Sequence, residues 1–244
     1  MPPANSDRAP LTTSQQNIFR SEGVLHLPDF IPRPRLKAVK DSILAELMRL
    51  RIWSGSKSLG SAPDRLPAFQ QIARLSSQVK VPNLHDAICT PEVQAAVAAL
   101  AGAQPVTAQG EQLLLSLPRQ GAWSLAQLNW HVDVAPRPDP DEVPGIQAFY
   151  LIDDVVPQGG ATLALAHSHR LASQAAGALR SALKSSGADL ATALAASGTA
   201  LAEMCGKAGD VFLMDMRTVH SPSVNASKHI RMMATTRFAL GPLR

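Results

Sequence analysis

The sequence predicts a mainly β protein: a helical N-terminal third followed by an antiparallel sandwich or barrel, in one domain. Three observations predict it. Apolar residues between positions 34 and 51 recur at helical spacing. From about Val106 the pattern changes to short apolar runs separated by turn residues. The length of 244 residues is enough for one sizeable core and too short for two comfortable ones.

The elements follow in order. Residues 1–15 are polar and rich in Pro, Ser and Thr, and read as a disordered lead-in; the domain then runs over 16–244. Gln16–Gly23 reads as a short helix ending at a glycine, and Val24–Leu27 as an apolar strand before a turn at Pro28 and Asp29. Pro34–Arg51 places Leu36, Val39, Ile43, Leu44, Leu47 and Leu50 on one helical face. Ser54–Arg65 is a Ser/Gly-rich loop. Helices are expected near Ala68–Ser77 and Pro91–Leu100, the second with Thr90 as N-cap and Pro91 at its first position. Strands are expected at Gln112–Leu117, Ala126–Val132, Ile146–Asp153, Thr162–Ala166, Val211–Met216 and Met232–Leu240. Leu171–Leu201, rich in Ala, Ser and Leu, reads as a helical insertion, a lid, an oligomer contact or plain helix filler.

Composition narrows the class. Hydrophobic residues make up 45% and charged residues 17%, a globular balance. The pI of about 9.4 reflects an excess of only four charges. Lys and Arg are scattered and aromatics are 4%, so neither a polybasic run nor a base-stacking platform is present, and nucleic acid is not expected as a partner. The two cysteines, Cys89 and Cys205, lack CxxC spacing and fit a reduced, cytoplasmic protein. No signal peptide and no membrane-spanning run is read.

The chemistry centres on Asn129-Trp130-His131-Val132-Asp133, at the end of a predicted strand. Residues two apart in a strand point to one side, so His131 and Asp133 can address one point in space. His220 follows the Val211–Met216 run. If the two strands face each other, two imidazoles and a carboxylate occupy one face of an octahedron. Three positions stay open for a chelating oxo-acid and O2, as Fe(II) oxygenases require. An HxD pair alone is common on surfaces. The pattern is strengthened by Arg231, eleven residues after His220 among Met232, Met233 and Ala234, whose planar fork suits a carboxylate.

Together these residues resemble the phytanoyl-CoA dioxygenase-like branch of the Fe(II)/2-oxoglutarate oxygenases. The resemblance is carried by Trp130-His131-Val132-Asp133, Asp153-Asp154, Gly159-Gly160-Ala161-Thr162-Leu163, Ser168-His169-Arg170, and His220 with Asn225, Ser227 and Arg231. Gly23-Val24 and Leu27-Pro28-Asp29-Phe30 match the family's opening strand and turn. The resemblance implies a double-stranded β-helix, a cupin-like jelly roll, with helices packed against it. It implies His131, Asp133 and His220 as iron ligands and Arg231 as the anchor of the 2-oxoglutarate C5 carboxylate. Phe149 is implied as an aromatic flank of the cosubstrate, and Thr162 as a further contact. Val132 stands where the family often has Gln, and Pro222 where it has Ser, so Ser221 or Ser223 is the substitute contact. His167 and His169 are read as a partly exposed residue and a turn cap rather than a second metal site. Asp215 and Asn225 are the nearest candidates to orient the ligand imidazoles.

A substrate-facing position is assigned to Trp130 and to Arg137, the latter in the Pro- and acid-rich loop Val134–Gly145 that follows the HxD pair. Asp133 fills the position that halogenating relatives leave to chloride, so the resemblance implies hydroxylation or another oxidation of a small molecule, in secondary metabolism, with O2 consumed. Two alternatives stand beside it. One is a cupin-like non-oxidative metalloenzyme, for which Arg231 has no evident use. The other is a non-catalytic binding or sensor module, which need not keep an open metal site.

Overall fold

The computed structural model describes residues 11–55, 57–58, 66–102, 107–126, 128–135, 139, 141–184 and 190–240. The chain opens with α1 (Thr13–Glu22), α2 (Arg33–Arg49), α3 (Ala68–Gln78), α4 (Leu84–Ile88) and α5 (Pro91–Ala101), with β1 (Val24–Leu27) and the hairpin β2–β3 (Trp53–Ser54, Lys57–Ser58) between them. Then come β4 (Thr107–Ser116), β5 (Gly145–Leu151), β6 (Thr162–Ala166), α6 (Ser173–Lys184), α7 (Leu190–Ser197), β7 (Ala200–Glu203), β8 (Val211–Asp215), β9 (His220–Pro222) and β10 (Arg231–Ala239). No described helix is long and apolar enough to cross a membrane.

Two antiparallel sheets dominate. The larger has the order β1-β8-β5-β10-β4 and the smaller the order β7-β6-β9. Strand alternation sorts the side chains into separate cores. One face of the larger sheet, with Leu25, Leu113, Leu115, Ile146, Ala148, Tyr150, Leu213, Met232 and Ala234, packs against Leu36, Ile43 and Leu47 of α2 and Val93 and Val97 of α5. Its other face, with Phe149, Leu151, Phe212, Met214 and Met233, meets Ala164 of β6 and Met204. The far side of β6, through Leu163 and Leu165, packs on Leu179 and Leu183 of α6 and on Trp130. The smaller sheet therefore lies between the larger sheet and α6.

The expected helices form with small shifts. Thr90 caps α5, its side chain accepting from the Val93 N–H at 3.4 Å. Thr12 and Gln15 form a capping box that starts α1 at Thr13, inside the stretch expected to be disordered. Two expectations need correction. Among the described residues of Ala126–Val132 no strand forms. His131 makes a single bridge to His220 (N–H to carbonyl, 3.0 and 2.9 Å in the two directions), after which the Asp133 and Val134 amides both turn onto the Met216 carbonyl. The insertion is not helical throughout: Ala200–Glu203 leaves it to pair with β6.

Two glycines of the family-like motifs act by close approach. Gly23 ends α1 at φ 75°, and a Cβ there would stand 2.4 Å from His169 Nδ1. Gly160, at φ 81°, would bring a Cβ within 2.8 Å of Asn225 Cβ. The Asp153-Asp154 pair is structural as well. Asp153 meets Lys40 at 2.7 Å, while Asp154 meets Lys207 at 3.1 Å and accepts from the Ala208 amide at 2.9 Å.

Candidate active site

The bridge between His131 and His220 brings the two imidazoles together, with ring centroids 4.2 Å apart. Asp133 closes the group: its Oδ2 lies 3.8 Å from His220 Nε2, and one donor atom from each of the three residues falls within 4.8 Å of the others. Among the described residues this is the cluster of such donors close enough to hold a metal. The backbone fixes both rings. His131 Nδ1 donates to the Asn129 carbonyl at 2.7 Å and His220 Nδ1 to the Thr218 carbonyl at 3.0 Å. Each ring spends its Nδ1 proton on a carbonyl two residues back, which leaves Nε2 as the lone-pair donor. Burial, and next the neighbouring His131, push the His220 pKa down to about 4, against the pull of Asp133, so its imidazole is neutral and ready to ligate at neutral pH.

A cavity of about 220 Å3 opens at the triad, lined by residues of both sheets and by Phe69, Ile72 and Ala73 of α3. Arg231 lines it from the start of β10. Its side chain is 2% exposed, and Nε and both terminal nitrogens have no hydrogen-bond partner. Burial alone lowers its pKa to about 9, which still leaves it cationic. An unpaired buried guanidinium is strongly unfavourable. A carboxylate entering the cavity would supply the missing counter-ion and match the fork.

The other expected positions divide. Phe149 lines the cavity with its ring edge-on to His220, centroids 6.4 Å apart, and Thr162 lines it from β6. The hydroxyls of Ser221 and Ser223 turn away: they donate to the carbonyls of Pro222 (3.0 Å) and Ala161 (2.7 Å), and it is Pro222 that lines the cavity. Trp130 is 1% exposed in the core under α6, not at the cavity. Arg137 lies outside the described residues. Asp215 orients no imidazole, because both its oxygens are taken by Arg217 at 2.8–3.0 Å. Asn225 instead organises its own loop, donating to the Ser116 and His229 carbonyls and accepting from Ser227. His167 is exposed and His169 buried, its Nε2 on the Arg20 carbonyl at 3.1 Å. Sequence reasoning missed Gln112, Gln147, Thr235 and Arg237, all of which line the cavity. Arg237 had a signal: it is six residues from Arg231, an even step that keeps both on one face of a strand. The carbonyls holding the two imidazoles had none, since every residue has one.

A two-histidine, one-carboxylate cluster, with His220 buried and His131 and Asp133 half-buried, stands beside an unpaired buried arginine between antiparallel sheets, a donor set suited to a metal with open positions. The phytanoyl-CoA dioxygenase (PhyH) family model matches residues 19–233, and the chain belongs to this family. Its triad fits the iron and 2-oxoglutarate site of these non-haem oxygenases. No curated protein sequence matches the chain.

Similar solved structures include the following three. The carbocyclase SnoK of nogalamycin biosynthesis, a non-haem α-ketoglutarate-dependent enzyme, has TM-score 0.62 at 20% identity, covering 94% of this chain and 84% of its own. AviO1 from Streptomyces viridochromogenes Tue57 has TM-score 0.61 at 21% identity over 99% of both chains. The epimerase SnoN, in complex with Fe3+, α-ketoglutarate and nogalamycin RO, has TM-score 0.54 at 19% identity, covering 93% and 82%. At these identities the likeness is one of fold.

Proposed function

We propose that the chain is an Fe(II)- and 2-oxoglutarate-dependent oxygenase that oxidises a small molecule without halogenating it, on a jelly-roll core made of the two antiparallel sheets. One observation carries the reading: a fully buried guanidinium without a partner opens into the same cavity as the triad. Arg231 holds the distal carboxylate of the cosubstrate, and His131, Asp133 and His220 hold the metal. When bound, iron with 2-oxoglutarate supplies the oxidising power for O2 activation, with succinate and CO2 as co-products. The chain supplies position and dryness. The two carbonyl-tethered imidazoles fix the metal with little freedom, Phe149 and Thr162 wall the cosubstrate, and α3 covers the cavity side. Asp133 keeps a carboxylate where a halide would need space, which favours oxygen transfer, ring closure or epimerisation over halogenation. The structural relatives named as a carbocyclase and an epimerase make these latter outcomes as natural as hydroxylation.

The test is succinate release from 2-oxoglutarate by anaerobically Fe(II)-loaded protein on exposure to air. The expected result is metal-dependent succinate formation, abolished in His131→Ala together with more than about a hundredfold of metal affinity. Retention of metal and turnover by His131→Ala would sink the reading. A non-oxidative metalloenzyme on the same ligands predicts no succinate, and leaves Arg231 unexplained.

A further inference from the structure

The larger sheet lays out the cavity in register. On its inner face Met233 pairs with Leu151, Thr235 with Phe149, and Arg237 with Gln147, while Arg231 lies two residues beyond Met233. Six residues of strand separate the α-carbons of the two arginines by about 20 Å, so the guanidiniums serve opposite ends. His220 meets the Phe149 ring and Asp133 meets Arg237, so the ligand triad lies between those ends. One arginine anchors the cosubstrate. The other faces what remains of the cavity.

Arg237 is poorly satisfied there. Its Nε and a terminal nitrogen reach Asp133 at 3.4 and 3.2 Å, longer than the roughly 2.7–2.9 Å of a strong charge-assisted bond, and its side chain is 36% exposed. Its partner is a metal ligand, whose charge is drawn to the metal once one is bound. Beside it, Gln147 is 3% exposed, and its Oε1 is buried with no hydrogen-bond partner. Counting charge gives the same answer. The cavity carries two guanidiniums and one carboxylate ligand. A divalent metal and a doubly charged oxo-diacid cancel each other, which leaves one cation uncompensated. The rest of the lining mixes apolar Phe69, Ile72 and Leu114 with polar Gln112, Asn129 and Thr235.

We propose that Arg237 and Gln147 are the substrate anchor of this site, and that the substrate is a small acid whose carboxylate sits on Arg237. A half-turn of the Gln147 carboxamide presents its NH2 in place of the orphaned oxygen, so amide and guanidinium donate to one carboxylate. This assignment rests on the oxygenase reading above and adds a substrate class to it.

The test uses anaerobic Fe(II)·2-oxoglutarate protein and calorimetric titration with three acids, benzoate, phenylacetate and 3-phenylpropanoate, each against its primary amide. The expected result is that the best acid binds at least about tenfold tighter than its amide, the least a charge-assisted hydrogen bond supplies. In Arg237→Gln that preference collapses to within about twofold, while 2-oxoglutarate affinity at saturating metal changes by less than about threefold. Gln147→Leu, which leaves Asp133 its partner, should narrow the preference without removing it. Equal binding of acids and amides, no binding of any acid, or an acid preference intact in Arg237→Gln overturns the proposal. So does loss of 2-oxoglutarate binding in Arg237→Gln, which would make Arg237 a cosubstrate residue. Failure of the wild-type protein to bind 2-oxoglutarate at all would instead overturn the oxygenase reading beneath it.

Discussion

Arg217 and Arg231 are buried equally, each 2% exposed, in opposite surroundings. Arg217 folds back on Asp215, with Nε on Oδ1 at 3.0 Å and a terminal nitrogen on Oδ2 at 2.8 Å, and its third nitrogen reaches the Asp139 carbonyl at 3.5 Å. It lines a cavity of about 340 Å3 with Arg20, Asp141, His169 and Arg170. Arg231 has no partner for any nitrogen and lines the smaller cavity, about 220 Å3. The two cavities therefore differ in charge compensation as well as in size, and the proposed function rests on the former. An arginine neutralised by its own chain holds the fold; on the proposed reading, the one left unneutralised is matched by a ligand.

The comparison can be broken most forcefully at Asp215. Asp215→Asn strands Arg217 among Arg20 and Arg170 and should cost about 3–5 kcal/mol of unfolding free energy, measured by urea denaturation. A loss under about 1 kcal/mol would mean that the neutralised arginine is not structural. Gly23→Ala probes the same region more gently. It forces a left-handed backbone on alanine and drives its Cβ into His169, at an expected cost of about 1–3 kcal/mol. The smallest effect is on pH. Burial, then the nearby Arg217 and Arg170 charges, lower the His169 pKa despite the Arg20 carbonyl and Asp215. The folded state thus binds fewer protons than the unfolded chain, and stability is lost as pH falls below about 6.5. His220 adds to the same slope, since its pKa is also lowered. His169→Gln should flatten part of the slope between about pH 7 and 5, and an unchanged slope would assign it to His220 alone.

The contrast between the arginines also shows what a sequence can display. Arg231 was legible because its distance from His220 and its apolar neighbours both pointed inward. The triad was legible because HxD and a distal histidine fell at the ends of apolar runs. Helical periodicity located α2, the Thr90-Pro91 start located α5, and short apolar runs between turn residues located β5, β6, β8 and β10, because continuous apolar runs record burial directly. The failures have physical causes too. The apolar run Ala126–Val132 packs Trp130 under α6 and spends its backbone on turns, so hydrophobicity there reports a core contact and not a strand. Ser221 and Ser223 satisfy nearby carbonyls, a local competition that residue type cannot reveal. Gln147 faces the cavity because of its register with Arg237, and register is a property of the assembled sheet.

The most direct measurement is thermal unfolding of Mn(II)-loaded wild-type protein and Arg231→Met, each with and without 2-oxoglutarate. The wild type should gain stability with the cosubstrate, about 2.7 kcal/mol at a hundred times the dissociation constant. Arg231→Met should gain none and, without ligand, should melt no lower than the wild type, because a buried charge without a partner has been removed. A variant that melts well below the wild type yet keeps its response to 2-oxoglutarate would contradict the account, placing Arg231 with Arg217 among the arginines that hold the fold.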